Sequence, residues 1–184
     1  MALSPASGSP AAELPSPREP GAPYRVCLVC LGNICRSPMA ETVPRAALAG
    51  AGLGDQVVVD SAGTGDWHIG QPMDAGARTA LARRGYDGSA HRARQIQASW
   101  LPQRDLVLAM DTRNLADLRR MARAQGGDRI RLFGEVGGLS EAGDGQIPDP
   151  WGGSADEFGS VLDLLNQAAP VIAGRLVRLL EPQA

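Results

Sequence analysis

The sequence predicts a single α/β domain, a parallel sheet with helices on both faces. Two patterns carry that reading. From Tyr24 onward, short apolar runs alternate with longer segments of helical periodicity, the signature of a sheet buried on both sides. The first apolar run ends in a glycine-bearing loop that closes on Ser37-Pro38, so reactive side chains fall at the carboxyl end of a strand, where α/β folds bind ligands. The chain has 184 residues, enough for one buried core and within the range of one domain.

Residues 1 to 23 hold six of the fourteen prolines, with Ser, Ala and Gly, and are expected to be a disordered tail. The segment has neither the basic start nor the continuous apolar stretch of a secretory signal, and its removal is expected to leave function intact. The domain is expected over 24–184. Strands are predicted at Tyr24–Cys30, Gln56–Asp60, Leu106–Met110 and Arg129–Leu132; helices at Pro38–Ala51, Asp74–Arg84, Thr112–Ala124 and Ser154–Leu180. Ser37 is predicted as the N-cap of the first helix with Pro38 at its first position. Pro44, inside that helix, should distort it at a cost of about 3 kcal/mol. Ser154-x-x-Glu157 is a capping box for the last helix, which Pro170 should kink or split.

Chemistry concentrates in Cys30-Leu31-Gly32-Asn33-Ile34-Cys35-Arg36-Ser37. A thiol placed at a helix N-terminus beside a guanidinium is favoured as the thiolate, the nucleophilic form. Gly32 lets the backbone bend toward a ligand, Asn33 tolerates a left-handed turn, and Arg36 matches two oxygens of a phosphoryl group in a way lysine does not. Together these residues suit a phosphate monoester held by loop amides, with Cys30 as nucleophile. Asp149-Pro150, read alone, marks a turn. Asp111, at another strand end, is read as structural.

The loop and its continuation through Met39-Ala40-Glu41 resemble the signature of bacterial low-molecular-weight protein tyrosine phosphatases. Further stretches agree in order and spacing: Asp60 to Thr64, Trp67 to Gly70, His91 to Gln95, Ala109 to Asp111 with Asn114, and Asp149-Pro150-Trp151. The resemblance implies four parallel strands in the order 2-1-3-4. It implies a phosphatase acting on phosphotyrosine proteins and aryl phosphates through a cysteinyl-phosphate, with inorganic phosphate as product. Asp149 would protonate the leaving oxygen and then activate water. Leu31, Gly32, Asn33, Ile34, Cys35 and Ser37 would form the phosphate cradle, with Trp67, His68 and Trp151 as pocket walls. Ser61 and His91 would brace the loop through Asn33 and Ser37, although from sequence they are equally a turn cap and a surface imidazole. Cys35 is either a redox partner of Cys30 or a small buried residue, and Cys27 belongs to the core. The family often has two tyrosines after the proline; here they are Trp151 and Gly152.

Composition narrows the alternatives. A net charge of −2 with dispersed arginines, and no lysine at all, does not make the basic stripe of a nucleic-acid binder. Three cysteines in adjacent segments fit a reducing cytoplasm, two histidines offer no metal-ligand spacing, and no apolar run approaches a membrane span. A cytoplasmic monomer needing no cofactor is expected. An arsenate reductase on this scaffold would need relay cysteines after Cys35. A phosphoarginine phosphatase would favour Thr where Ile34 stands. A non-catalytic phosphate-binding module draws its support from Pro44.

Overall fold

The computed structural model describes residues 13–123, 126–139 and 144–181. Its sheet has four parallel strands, β1 (Tyr24–Cys30), β2 (Val57–Gly63), β3 (Leu106–Ala109) and β4 (Ile130–Leu132), in the order β2-β1-β3-β4. The helices are α1 (Arg36–Gly50), α2 (Ala75–Arg83), α3 (Thr112–Ala122), the short α4 (Phe133–Val136) and α5 (Ala155–Leu180).

Period-two alternation along β1 and β3 divides the core between the two faces. Val26, Leu28, Leu106 and Leu108 join one cluster with Met39, Leu81, Phe158 and Leu165, beneath α1, α2 and α5. Cys27, Val29, Val107 and Ala109 face the other way, onto Leu118 of α3 with Ile96 and Ile130. Each fully buried Leu or Phe contributes about 1.5–3 kcal/mol, so the central strands hold the three layers together. Cys30, at the end of β1, and Gly63, paired beside it at the end of β2, lie at the carboxyl edge of the sheet.

Several local expectations change. The predicted end of the third helix at Ala124 lies outside the described residues. Strand β2 runs on to Gly63, so Ser61 is a strand residue and not a turn cap. α1 begins at Arg36, and its N-cap is Cys35, without a side-chain cap. Ser37 is not the cap because its hydroxyl is drawn under the preceding loop, where Asn33 and Cys30 bond it. Pro44 is buried within an unbroken α1, and the exposed Pro170 does not split α5, which runs continuously from Ala155 to Leu180. Each proline removes one ladder bond, while burial of the same face on both sides of it holds the helix together. The capping box is present: Ser154 Oγ accepts from Glu157 N, and the Glu157 carboxylate accepts from Ser154 N at 2.7 Å.

The expected tail boundary also moves. From Glu13 the segment is seated on the domain: Leu14 joins the larger core, and the buried Tyr24 hydroxyl donates to Pro15 O at 2.9 Å. Arg18 N donates to the buried carboxylate of Asp105 at 2.6 Å, and Arg129 and Arg131 donate to the carbonyls of Ser16 and Glu13. These contacts use backbone groups, which low apolar content does not reveal.

Candidate active site

Between β1 and α1 the chain makes a tight loop whose centre is Asn33, with φ of 55°, a left-handed conformation that asparagine tolerates. The Asn33 amide is completely buried. Its Nδ2 donates to Ser37 Oγ and to Ser61 Oγ, both at 2.9 Å, and its Oδ1 accepts from Arg94 N at 2.8 Å. Its carbonyl meets His91 Nε2 at 2.8 Å. Ser61 in turn donates to Glu41 Oε2 at 2.5 Å. Ser61 and His91 thus both brace the loop through Asn33; Ser37 is reached through the Asn33 amide.

Three further loop carbonyls are also taken up. Cys30 O accepts from Thr64 N, Leu31 O from Gly65 N, and Ile34 O from Asp74 N, at 2.9–3.0 Å. Gly63 makes this fit possible, since a Cβ there would stand 2.6 Å from Leu31 O and 3.0 Å from Asn33 N. Sequence reasoning assigned Gly63 no role; its place opposite Cys30 at the strand end was the available signal. Gly32 is similarly constrained, because a Cβ there would meet the His68 ring at 2.9 Å.

Cys30 Sγ lies 3.0 Å from Ser37 Oγ and accepts from Asn33 N at 3.3 Å. The Ser37 hydroxyl has one proton and two acceptors in reach, Cys30 Sγ and Ala62 O. It gives that proton to sulfur when sulfur carries the negative charge. The other two thiols are different. Burial first, then the charges of Asp74 and Cys30, push the Cys35 thiol well above its ordinary range, and burial with Asp60 does the same to Cys27.

The Arg36 guanidinium is 3% exposed. Burial alone would weaken its hold on the proton. The Asp111 hydrogen bond and the charges of Cys30 and Asp149 outweigh that effect, so it is held cationic more firmly than usual. Nη1 donates to Asp111 Oδ2 at 2.6 Å and to Ile147 O at 3.2 Å; Nη2 donates to Asp149 Oδ2 at 2.8 Å. Nε is buried without a partner. Asp111 caps α3 by accepting from Asn114 N, so the structural reading of it was half of the answer: it also orients Arg36. Its position at the end of β3, on the same edge as Cys30, was the clue in the sequence.

These groups meet in a pocket of about 350 Å³. Cys30 and Arg36 lie at its floor with Leu31, Gly32, Ile34 and Cys35, while Trp67, His68, Asp149 and Trp151 rise around it. The two indoles are about two-thirds exposed, at 65% and 66%. The Asn33 and Ser37 side chains do not line the pocket and are buried behind the loop as its support, while the Asn33 backbone N–H is turned to Cys30 Sγ. Among the described residues no group of three or more His, Cys, Asp or Glu is placed to hold a metal ion.

A family model described as low molecular weight phosphotyrosine protein phosphatase matches residues 25–180. The chain belongs to this family. A low molecular weight protein-tyrosine-phosphatase of Streptomyces coelicolor is 46% identical over 147 residues, covering 79% of this chain and 89% of the relative. YfkJ of Bacillus subtilis, of the same description, is 40% identical over 126 residues, covering 68% and 80%. Its crystal structure superposes with a TM-score of 0.77 over 90% of this chain and all of that one. A protein tyrosine phosphatase from Entamoeba histolytica superposes with a TM-score of 0.79 at 30% identity, over 84% and 97%. Membership in the low molecular weight phosphatases agrees with the strand order and with the Cys30 loop at the carboxyl edge of the sheet.

Proposed function

We propose that this chain hydrolyses phosphotyrosine in protein substrates, releasing inorganic phosphate by two successive in-line displacements at Cys30. One observation carries the reading: a thiol, a buried guanidinium and a carboxylate converge at one pocket between two tryptophans, a cleft whose walls suit an aryl ring. Arg36 offers the unpartnered Nε, and Nη2 once Asp149 gives way, to two equatorial phosphoryl oxygens. Arrival of the phosphate thus exchanges one anion for another on the guanidinium and frees the Asp149 carboxyl to carry a proton to the tyrosyl oxygen. Cys30 Sγ forms a bond to phosphorus as the phenol leaves. Water, deprotonated by Asp149, then attacks phosphorus and expels the Cys30 thiolate, which the Ser37 hydroxyl receives with a hydrogen bond. Cys35, whose thiol is held protonated, does not compete; lining the same pocket, it is suited to condense with a Cys30 sulfenic acid formed by peroxide, giving a disulfide and water.

We further read the enzyme as a monomer of the cytoplasm, where a reducing milieu keeps its three free thiols reduced. Among the described residues no helix is long and apolar enough to cross a membrane.

Rapid acid quench during turnover of a phosphotyrosyl peptide should trap phosphate on Cys30 in the wild type and none in Cys30→Ser. Asp149→Asn should lower kcat by about 10²–10⁴, with the smallest loss for the most acidic leaving phenols. Unimpaired hydrolysis by Cys30→Ser would overturn the mechanism, and equal kcat/KM for phosphoarginine would overturn the tyrosine assignment.

A further inference from the structure

Beside the catalytic pocket lies a larger groove of about 840 Å³, and the two share a ridge formed by Leu31 and Trp67. The Trp67 ring lies directly over Gly65, where a Cβ would come within 1.7 Å of it. Beyond the ridge the groove lining holds four guanidinium groups, those of Arg18, Arg113, Arg120 and Arg123, against the single carboxylate of Asp117. Asp117 is engaged by Arg120 at 2.5 Å. Among the described residues the Arg113 and Arg123 side chains have no hydrogen bond or ion pair. The Thr64 hydroxyl, on the same lining, is buried and also without a partner.

Arg18 comes from the segment ahead of residue 25, where the family match begins. Its backbone N–H is fixed to Asp105 and its Nε to Arg104 O at 2.7 Å, leaving the terminal nitrogens to the groove. The protein as a whole carries a net charge of −2, so this concentration of positive charge is local to the ground beside the site. Apolar Leu101, Pro102 and Met121 lie among the arginines, a mixed lining that suits peptide side chains better than a bare polyphosphate.

We propose that this groove is a specificity subsite that takes acidic side chains of the substrate polypeptide flanking its phosphotyrosine. The inference rests on the phosphatase reading of the adjoining pocket. With the phosphotyrosine ring beside Trp67, a chain extended at about 3.3–3.6 Å per residue crosses the ridge within a few residues and brings carboxylates over the arginines. Charge complementarity there orients the peptide and raises its encounter rate, and added salt weakens both.

The test compares phosphotyrosyl peptides with acidic residues on the N-terminal side, on the C-terminal side, or with neutral flanks, and p-nitrophenyl phosphate as a substrate too small to cross the ridge. The wild type should favour one acidic peptide over the neutral one by roughly ten-fold in kcat/KM at low salt. The triple variant Arg18→Ala, Arg113→Ala, Arg123→Ala, which leaves the Arg120–Asp117 pair in place, should bring that ratio near one while turning over p-nitrophenyl phosphate as before. An undiminished ratio in the triple variant, or no preference in the wild type, overturns the subsite. Failure of the catalytic reading would show separately, as loss of p-nitrophenyl phosphate turnover in the wild type. Fluorescence anisotropy of the same labelled peptides on Cys30→Ser protein, with and without the three groove substitutions, then decides the subsite without turnover. Equal binding of acidic and neutral peptides there, or displacement of the acidic peptide by poly(U) as readily as by unlabelled peptide, overturns it.

Discussion

Asn33 is the residue on which the loop depends. One fully buried side chain ties α1, β2 and the segment before β3 together, and its carbonyl takes a fourth bond from His91. Burial is the main reason His91 holds its proton less tightly than an ordinary imidazole, and the bond to Asn33 offsets this only in part. Between the lowered folded value and the ordinary value of about 6.5, the unfolded chain binds more protons than the folded one. Stability should therefore fall as pH drops below about 6.5 and stop falling from this cause once His91 is protonated in the fold. Urea titrations from pH 7.5 to 5 should show a flatter profile for His91→Gln, which keeps a donor toward Asn33 O; an identical slope would remove His91 as the cause. At this scale the thiol and guanidinium that share the pocket floor were legible from residue type and spacing at a strand end, whereas Trp67, His68 and Trp151, which line the same pocket, were suggested by the family resemblance alone. Asp111 and Gly63 were not, since what each does depends on which loop the sheet brings beside it.

At the scale of elements, alternation between apolar runs and helical periods gave four strands and four long helices nearly in place, and the capping box located the start of α5. The short α4 was missed because a single turn has no periodicity to read. Boundaries slipped where side chains serve the site: Ser37 left its capping position for the loop, and β2 carried on to Gly63 to pair with Cys30. The prolines misled because local propensity was weighed without the packing that surrounds it. Pro170 is exposed on α5, so Pro170→Ala should restore the missing bond to Asn166 O without opening a cavity. A gain of about 2 kcal/mol, and a Tm higher by about 4–8 °C, is the expected result of thermal unfolding. No gain would mean that the lost rigidity of the unfolded chain outweighs the added bond.

Over the whole molecule, the segment from Glu13 to Pro23 is seated on the domain by Leu14, Pro15 O and Arg18 N. A chain beginning at Tyr24 loses the burial of Leu14, the acceptor of the Tyr24 hydroxyl and one of the two backbone donors to the buried Asp105. Relative to a chain beginning at Glu13 it should be less stable by about 2–4 kcal/mol in urea, with kcat for p-nitrophenyl phosphate unchanged at 25 °C. Equal midpoints would show that these contacts add nothing beyond the entropy of ordering the segment. The distribution of indoles has its own outcome. Of three tryptophans, two stand mostly in water at the mouth of the pocket, and the third, Trp100, lies against the guanidinium groups of Arg94 and Arg104 and does not line it. Whatever enters the cleft must strip solvent from chromophores that dominate the ultraviolet emission, so the protein carries its own optical gauge of occupancy, readable as a blue shift without any label.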